Sequence, residues 1–246
     1  MNQEEKKALR GILFRHLDGI AICPTVSALH MGEITSYMIE HPHFSFQELS
    51  KYFDTNNGYL NVALRLLASQ GWLQRKIIKD GEEIDFKLTD KGEKSLALVS
   101  HYVTFSQYIP ILVDIDQYLF GRKLLKNEEI LSNIIVELNN LYKKNANTGT
   151  PTWEITKHLE GLLVGPILVA LGMSDYFTDI LERRDVIDDE IIDNLPIFKS
   201  VIDLFIMLKW VRNNRFTNEG QFFMKRAVAY GVTVSYLPTF KQSPAL

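Results

Sequence analysis

The sequence has a single cysteine, Cys23, so neither an internal disulfide nor a thiolate metal cage can form. A reducing compartment follows as the expectation, with the cytoplasm as its default. An excess of charge of one sign is also lacking: 27 Lys and Arg against 30 Asp and Glu leave a net charge of −3. No whole-chain basic field exists to hold a phosphate backbone or an anionic membrane. Long apolar runs are missing too. None approaches the roughly 20 residues that a membrane span needs, and the charged start, Met1 to Lys7, has no apolar core of a secretory signal. What remains is a globular composition, 46% hydrophobic and 23% charged over 246 residues, enough for one large domain or two small ones. Disorder, collagen and disulfide scaffolds are excluded.

The organisation emerges when the chain is compared with itself. Leu17-Asp18-Gly19-Ile20-Ala21-Ile22-Cys23-Pro24 aligns with Leu159-Glu160-Gly161-Leu162-Leu163-Val164-Gly165-Pro166, and Ala28-Leu29-His30-Met31 with Ala170-Leu171-Gly172-Met173, all at an offset of 142. Trp72 matches Trp210 at 138, and Leu88-Thr89-Asp90-Lys91-Gly92 matches Phe216-Thr217-Asn218-Glu219-Gly220 at 128. Tyr102 matches Tyr230, and Tyr108-Ile109-Pro110 matches Tyr236-Leu237-Pro238, again at 128. Insertions and deletions account for the steps. The chain is therefore read as a duplicated unit, over 17–120 and from 159 onward.

In the first copy, Pro24 suits a helix start, with Val26, Leu29, Ile34 and Met38 at near-helical spacing, which predicts a helix over 24–40. Ser45-Phe46-Gln47-Glu48 has the capping-box form and predicts a short helix to about Phe53. Asp54 to Gly58 supplies a turn, and Leu60, Ala63, Leu64 and Leu67 form the apolar face of a third helix ended by Gly71. Two strands follow, from Trp72 and around Ile84–Leu88, with Asp80-Gly81 as the hairpin signal. Thr89 caps helices covering 90–120. Helix, helix, turn, helix and hairpin make a winged helix-turn-helix. The second copy keeps the helices and shortens the wing to a stub around Asn213-Asn214. A helix over 127–144 and the polar stretch to Pro151 join the copies. The expected fold is mainly α: two tandem winged helix-turn-helix units with short β-hairpin wings and connecting helices. The expected divisions are a first unit with trailing helices over 1–125, a helix and linker over 126–151, and a second, C-terminally incomplete unit over 152–246.

A winged helix raises DNA binding, which requires donors and cations on the recognition helix. Residues 57–70 offer one cation, Arg65, and the wing's Lys76, Lys79 and Lys87 are outnumbered by Asp80, Glu82, Glu83 and Asp85. The equivalent helix in copy two, Pro196 to Leu208, is apolar on nearly every face. A packing or dimerisation module is the stronger reading, and a DNA-binding regulator is the alternative.

Asn57-Gly58-Tyr59-Leu60-Asn61-Val62-Ala63-Leu64-Arg65-Leu66-Leu67-Ala68-Ser69-Gln70-Gly71-Trp72-Leu73, followed by the hairpin and Leu88 to Gly92, resembles the N-terminal winged-helix dimerisation domain of class I S-adenosylmethionine-dependent O-methyltransferases. Leu159 to Pro166 and Ala229 to Phe240 resemble more closely the N-terminal region of methyltransferases of polyketide synthase loading modules and their stand-alone bacterial relatives. This resemblance covers nearly the whole chain. It implies a non-catalytic lid, substrate-shaping and dimerisation region, serving methyl transfer to a small-molecule or carrier-bound acyl substrate. It also implies packing on a catalytic domain or self-association, with an acyl carrier protein as a possible further partner. The departure is the catalytic domain itself: none of the 14 glycines forms the G-x-G of a cofactor-cradling turn, and no βαβ alternation is present. No cofactor is expected in this chain, and S-adenosylmethionine belongs to a separate C-terminal domain. Because copy two stops at the counterpart of Tyr118, the chain is expected to be the front end of a longer polypeptide.

No catalytic, cofactor-binding or metal-binding residue is assigned. His41-Pro42-His43 reads as a surface turn rather than a metal pair, and His16, His30, His101 and His158 read as isolated. Cys23, in an apolar run, reads as a buried small residue. Asp18 and Glu160 are either acidic positions near a shared site or polar helix ends. Gly161 and Gly165 suit close helix packing. The repeated Tyr102/Tyr230 and Tyr108/Tyr236 are the candidates for lining a cavity, with core packing as the other reading.

Overall fold

The computed structural model describes residues 1–79, 83–123, 129–144, 147–174 and 196–241. Its first element, α1 (Gln3–Met31), begins far upstream of Pro24, at an Asn2/Glu5 capping box. The expected start at Pro24 is thus corrected: proline lies inside the helix, as does Pro166 in the second copy. An interior proline costs about 3 kcal/mol in an isolated helix. Here the helix continues because Leu9, Leu13, Ile20, Ile22 and Val26 are all buried along it. A break at Glu33, with φ 63°, separates α1 from α2 (Ile34–Glu40).

Strand β1 (His43–Ser45), short enough to give no period-two signal, precedes α3 (Phe46–Phe53), which starts at the expected Ser45/Glu48 capping box. Helix α4 (Asn57–Ser69) ends before Gly71, whose φ of 72° suits glycine. Strands β2 (Leu73–Lys79) and β3 (Glu83–Leu88) pair antiparallel, and β1 pairs with β3 through Phe44 and Phe86, giving the order β1-β3-β2. The Asp80-Gly81 turn lies outside the described residues. The predicted helical stretch after Thr89 consists of α5 (Asp90–Leu96), α6 (Val99–Ser106), α7 (Ile109–Val113) and α8 (Ile115–Leu119).

Helix α9 (Glu129–Lys144) connects to α10 (Pro151–Gly172), the counterpart of α1. Copy two continues with α11 (Pro196–Met207), the stub hairpin β4 (Val211–Arg212) and β5 (Arg215–Phe216), then α12 (Asn218–Met224), α13 (Ala227–Val234) and α14 (Leu237–Lys241). Asn213 and Asn214 take φ of 52° and 55°, the left-handed pair that a two-residue hairpin requires. The fold is mainly helical, with tandem winged helix-turn-helix units and short wings.

The wing-to-helix joint is built twice in one way. Thr89 Oγ1 donates to Gly71 O at 2.7 Å and accepts from Gly92 N, while Thr217 Oγ1 donates to Lys209 O at 2.9 Å and accepts from Gly220 N. A Cβ on Gly92 would lie 2.2 Å from Trp72 O, and one on Gly220 2.2 Å from Trp210 O. Only glycine lets the helix sit against the tryptophan carbonyl.

Contrary to the expectation from unbroken apolar runs, α1 and α10 are each long and apolar enough, by length and composition, to cross a membrane. The stretch in α10 is mostly buried inside the protein, with Lys157, His158 and Glu160 in that interior, which is the character of a core helix.

Candidate functional site

Helices α1 and α10 cross at the centre of the molecule, and the repeat makes the crossing reciprocal. Gly19 rests on the backbone of His158, where a Cβ would come within 2.1 Å of His158 O. Gly161 rests on the backbone of His16, where a Cβ would come within 2.2 Å of His16 Cα. His16 and His158 share the offset of 142 that relates Gly19 to Gly161. Each fully buried histidine then meets the tyrosine of the other copy. His16 Nδ1 lies 2.8 Å from Tyr230 Oη, and His158 Nδ1 lies 2.8 Å from Tyr102 Oη.

The two sides differ at the other ring nitrogen. His16 Nε2 is 3.0 Å from Glu160 Oε1, and Glu160 also binds Lys157 Nζ at 2.7 Å and the Tyr142 hydroxyl of α9. His16 thus lies between the Tyr230 hydroxyl, on its Nδ1 side, and the Glu160 carboxylate, on its Nε2 side. Burial alone would raise the pKa of Glu160, but Lys157 and His16 outweigh it and bring it down to about 2. On the other side His158 Nε2 has no hydrogen-bond partner among the described residues. Burial first, then Arg15, Lys91 and His16, lowers the pKa of His158 to about 3, so the ring is neutral. Asp18, the counterpart of Glu160, is instead turned toward Arg15, 3.6 Å away, and burial raises its pKa. Arg15 and Lys91 both pair with the buried Glu154, at 3.5 and 2.8 Å.

Tyr102 and Tyr230 thus lie in this core, and burial pushes both phenols well above their ordinary range. Tyr108 is half-buried and Tyr236 is 59% exposed. Asp18 and Glu160 sit in mid-helix at the crossing, which corrects their reading as helix ends. His16 and His158 are therefore not isolated but central to the crossing. The signal was available, because His16 and His158 immediately precede the aligned Leu17 and Leu159. Cys23 is buried, with its thiol pushed up to about 12, and Gly165 packs against Ile20. His41 stacks on Tyr37 at 4.3 Å, and no group of three or more His, Cys, Asp or Glu among the described residues could hold a metal ion.

Two open clefts occupy equivalent places at the outer ends of α1 and α10. One, of about 350 Å³, is lined by Pro24, Ala28, Met31 and Ser106, and the other, of about 400 Å³, by their counterparts Pro166, Ala170, Met173 and Val234. Their character differs because Asp116, Phe120 and Arg122 close on the second and Gln107 and Phe240 on the first.

The DNA reading is not favoured by the geometry. In α11 Ile197, Phe198, Val201, Ile202, Leu204 and Phe205 are all buried, and the exposed Lys199, Asp203 and Ile206 offer a single cation to a groove.

Residues 9–75 match a family model described as the AprA N-terminal domain, and residues 160–246 match one described as the AprA winged helix domain. The first lies over α1 to the start of the wing in copy one, and the second covers copy two. Both support a non-catalytic N-terminal region containing a winged helix. No curated protein matches the chain.

Proposed function

We propose that this chain is the non-catalytic lid, substrate-shaping and pairing region that works, in the cytoplasm, with a class I S-adenosylmethionine-dependent methyltransferase domain. Its substrate class would be a small molecule or a carrier-bound acyl group. The methyltransferase part of the reading rests on the resemblance of Asn57–Leu73, Leu159–Pro166 and Ala229–Phe240. The observation that carries the non-catalytic part is the α1–α10 crossing: its buried titratable groups are engaged in holding the two copies together, through His16–Tyr230, His158–Tyr102 and His16–Glu160.

The described residues do not fit S-adenosylmethionine. They contain no G-x-G turn, and their strands pair only antiparallel. The cofactor would be held by the catalytic domain, and this chain would supply walls and a pairing surface. Titration calorimetry of the chain with S-adenosylmethionine is expected to give no isotherm. Joined at its C-terminus to a catalytic domain of the resembling type, the chain is expected to raise methyl transfer to an acyl-carrier substrate. A saturable isotherm with the chain alone, or no effect on transfer, overturns the reading.

A further inference from the structure

The internal repeat also shows a surface that no described helix covers. In copy two, α9 packs on α10 and α11, with Tyr142 reaching Glu160 and Lys157, and Ser132 Oγ lying 3.2 Å from Ser200 Oγ. Its Glu137 and Lys144 lie close enough to α6 to act electrostatically on His101. The corresponding face is formed by α1 and α4 of copy one with α13 of copy two, and no described helix lies on it as α9 does on its counterpart.

Residue pairs related by the repeat report the difference directly. On α4, Val62 is 65% exposed where Ser200 is 7%, and Tyr59 is 63% exposed where Ile197 is 7%. On α1, Phe14 is 62% exposed where Thr156 is 1%. On α13, Val232 is 72% exposed at the position where α6 carries the half-buried Thr104. The uncovered face is the more apolar of the two, and a cavity of about 650 Å³ opens beside it at Phe14, Arg15 and Asp18. Exposed apolar side chains are individually ordinary, but a set that occupies the repeat positions of a covered face marks an interaction surface.

We propose that this face of α1, α4 and α13 is the docking groove for one amphipathic α-helix of a partner polypeptide, seated as α9 is seated on copy two. The occupant's chemistry follows from the substitutions between the copies. Its apolar stripe repeats that of α9, where Leu131, Ile134, Leu138 and Leu141 are buried. The position of Ser132 becomes apolar, because Ser200 is replaced by Val62. The position of Tyr142 keeps a hydrogen-bond donor, because Asp18 stands for Glu160 and Arg15 for Lys157. The flank that carries Glu137 and Lys144 needs no charge, because Ala229 stands for His101. This inference does not depend on the methyltransferase reading, since it rests only on the helix already seated in the counterpart groove.

The probe is a fluorescent synthetic peptide of residues 129–144 carrying Ser132→Leu, added to the intact chain and followed by anisotropy. Saturable binding is expected, weakened at least about tenfold by Val62→Asp and by Val232→Asp. Both substitutions fall on exposed side chains, so circular dichroism should be unchanged, and Met173→Asp, 83% exposed away from the groove, should bind as the parent does. No saturation at millimolar peptide, or equal affinity in the Val62 and Val232 variants, overturns the proposal. Sedimentation velocity distinguishes the other occupant: a dimer that Val62→Asp dissolves would assign the face to a second copy of this chain, and would equally overturn the partner helix.

Discussion

At the scale of single residues, the crossing lowers the pKa of both His158 and Glu160, with different consequences for stability. His158 is held neutral in the fold with its pKa brought down to about 3, whereas an unfolded chain protonates it near the ordinary histidine value of 6.5. Between those values the unfolded state binds the extra proton, so stability is lost as pH falls below about 6.5. Glu160 acts in a lower window: its folded pKa of about 2 against an ordinary 4.5 contributes stability above 4.5 that disappears as pH falls toward 2. Urea unfolding at pH 7 and pH 5 is expected to show His158 accounting for about 2 kcal/mol of loss. His158→Gln, whose amide oxygen can still accept the Tyr102 hydroxyl, should remove most of that slope. An unchanged slope would mean that His158 is not the group responsible. The tyrosines give a pH-independent companion. Tyr230→Phe leaves His16 Nδ1 buried without its partner and should cost about 1–3 kcal/mol, whereas Tyr236→Phe, at an exposed ring, should change stability by less than about 0.5 kcal/mol. Much of this residue-level chemistry was hidden from the sequence. The repeat pointed to the tyrosines, but that each pairs with a histidine of the other copy depends on how the helices cross, which an alignment of the copies does not contain.

At the scale of elements, the capping boxes, the glycine stop after α4 and the asparagine hairpin of copy two were legible because each is a local hydrogen-bonding or φ requirement met by adjacent residues. The start of α1 was not, because Pro24 satisfies the local rule for a first-turn residue while the true start is decided by packing over the upstream face. The break at Glu33 was missed for a related reason: a left-handed glutamate carries no sequence signal. Glycine context separates the two influences within helices. Gly11 lies in α1 with nothing within 4 Å of where its Cβ would be, so Gly11→Ala should stabilise by about 0.5–1 kcal/mol through helix propensity. Gly161 has the same intrinsic preference but abuts the His16 backbone, so Gly161→Ala must force α1 and α10 apart and should destabilise. Chemical denaturation of the two variants tests the opposite signs. If both stabilise, the close approach of α1 and α10 at the crossing is wrong.

At the scale of the whole molecule, the duplication does not yield two independent bodies. Each copy contributes one long central helix, and the polar side chain at its middle is satisfied by the other copy: His16 by Tyr230 and Glu160, His158 by Tyr102. A copy folded alone would bury or expose these groups without partners, at a cost of about 1–3 kcal/mol for each unsatisfied site. It would also leave bare the glycine faces of α1 and α10. The two units should therefore unfold together although the chain contains two winged helices. Trp72 and Trp210 are both fully buried and lie one in each copy, which supplies a reporter for each unit. With the other tryptophans changed to phenylalanine, a variant retaining only Trp72 and one retaining only Trp210 should each give a fluorescence transition coincident with its own far-ultraviolet dichroism. Tyr102→Phe should then lower both reporters' midpoints together, because the bond that it removes belongs to neither copy alone. A Trp72 transition separated from the dichroism change, or a Tyr102→Phe effect confined to one reporter, would show that the copies fold as separate domains and that the crossing is only a contact between them.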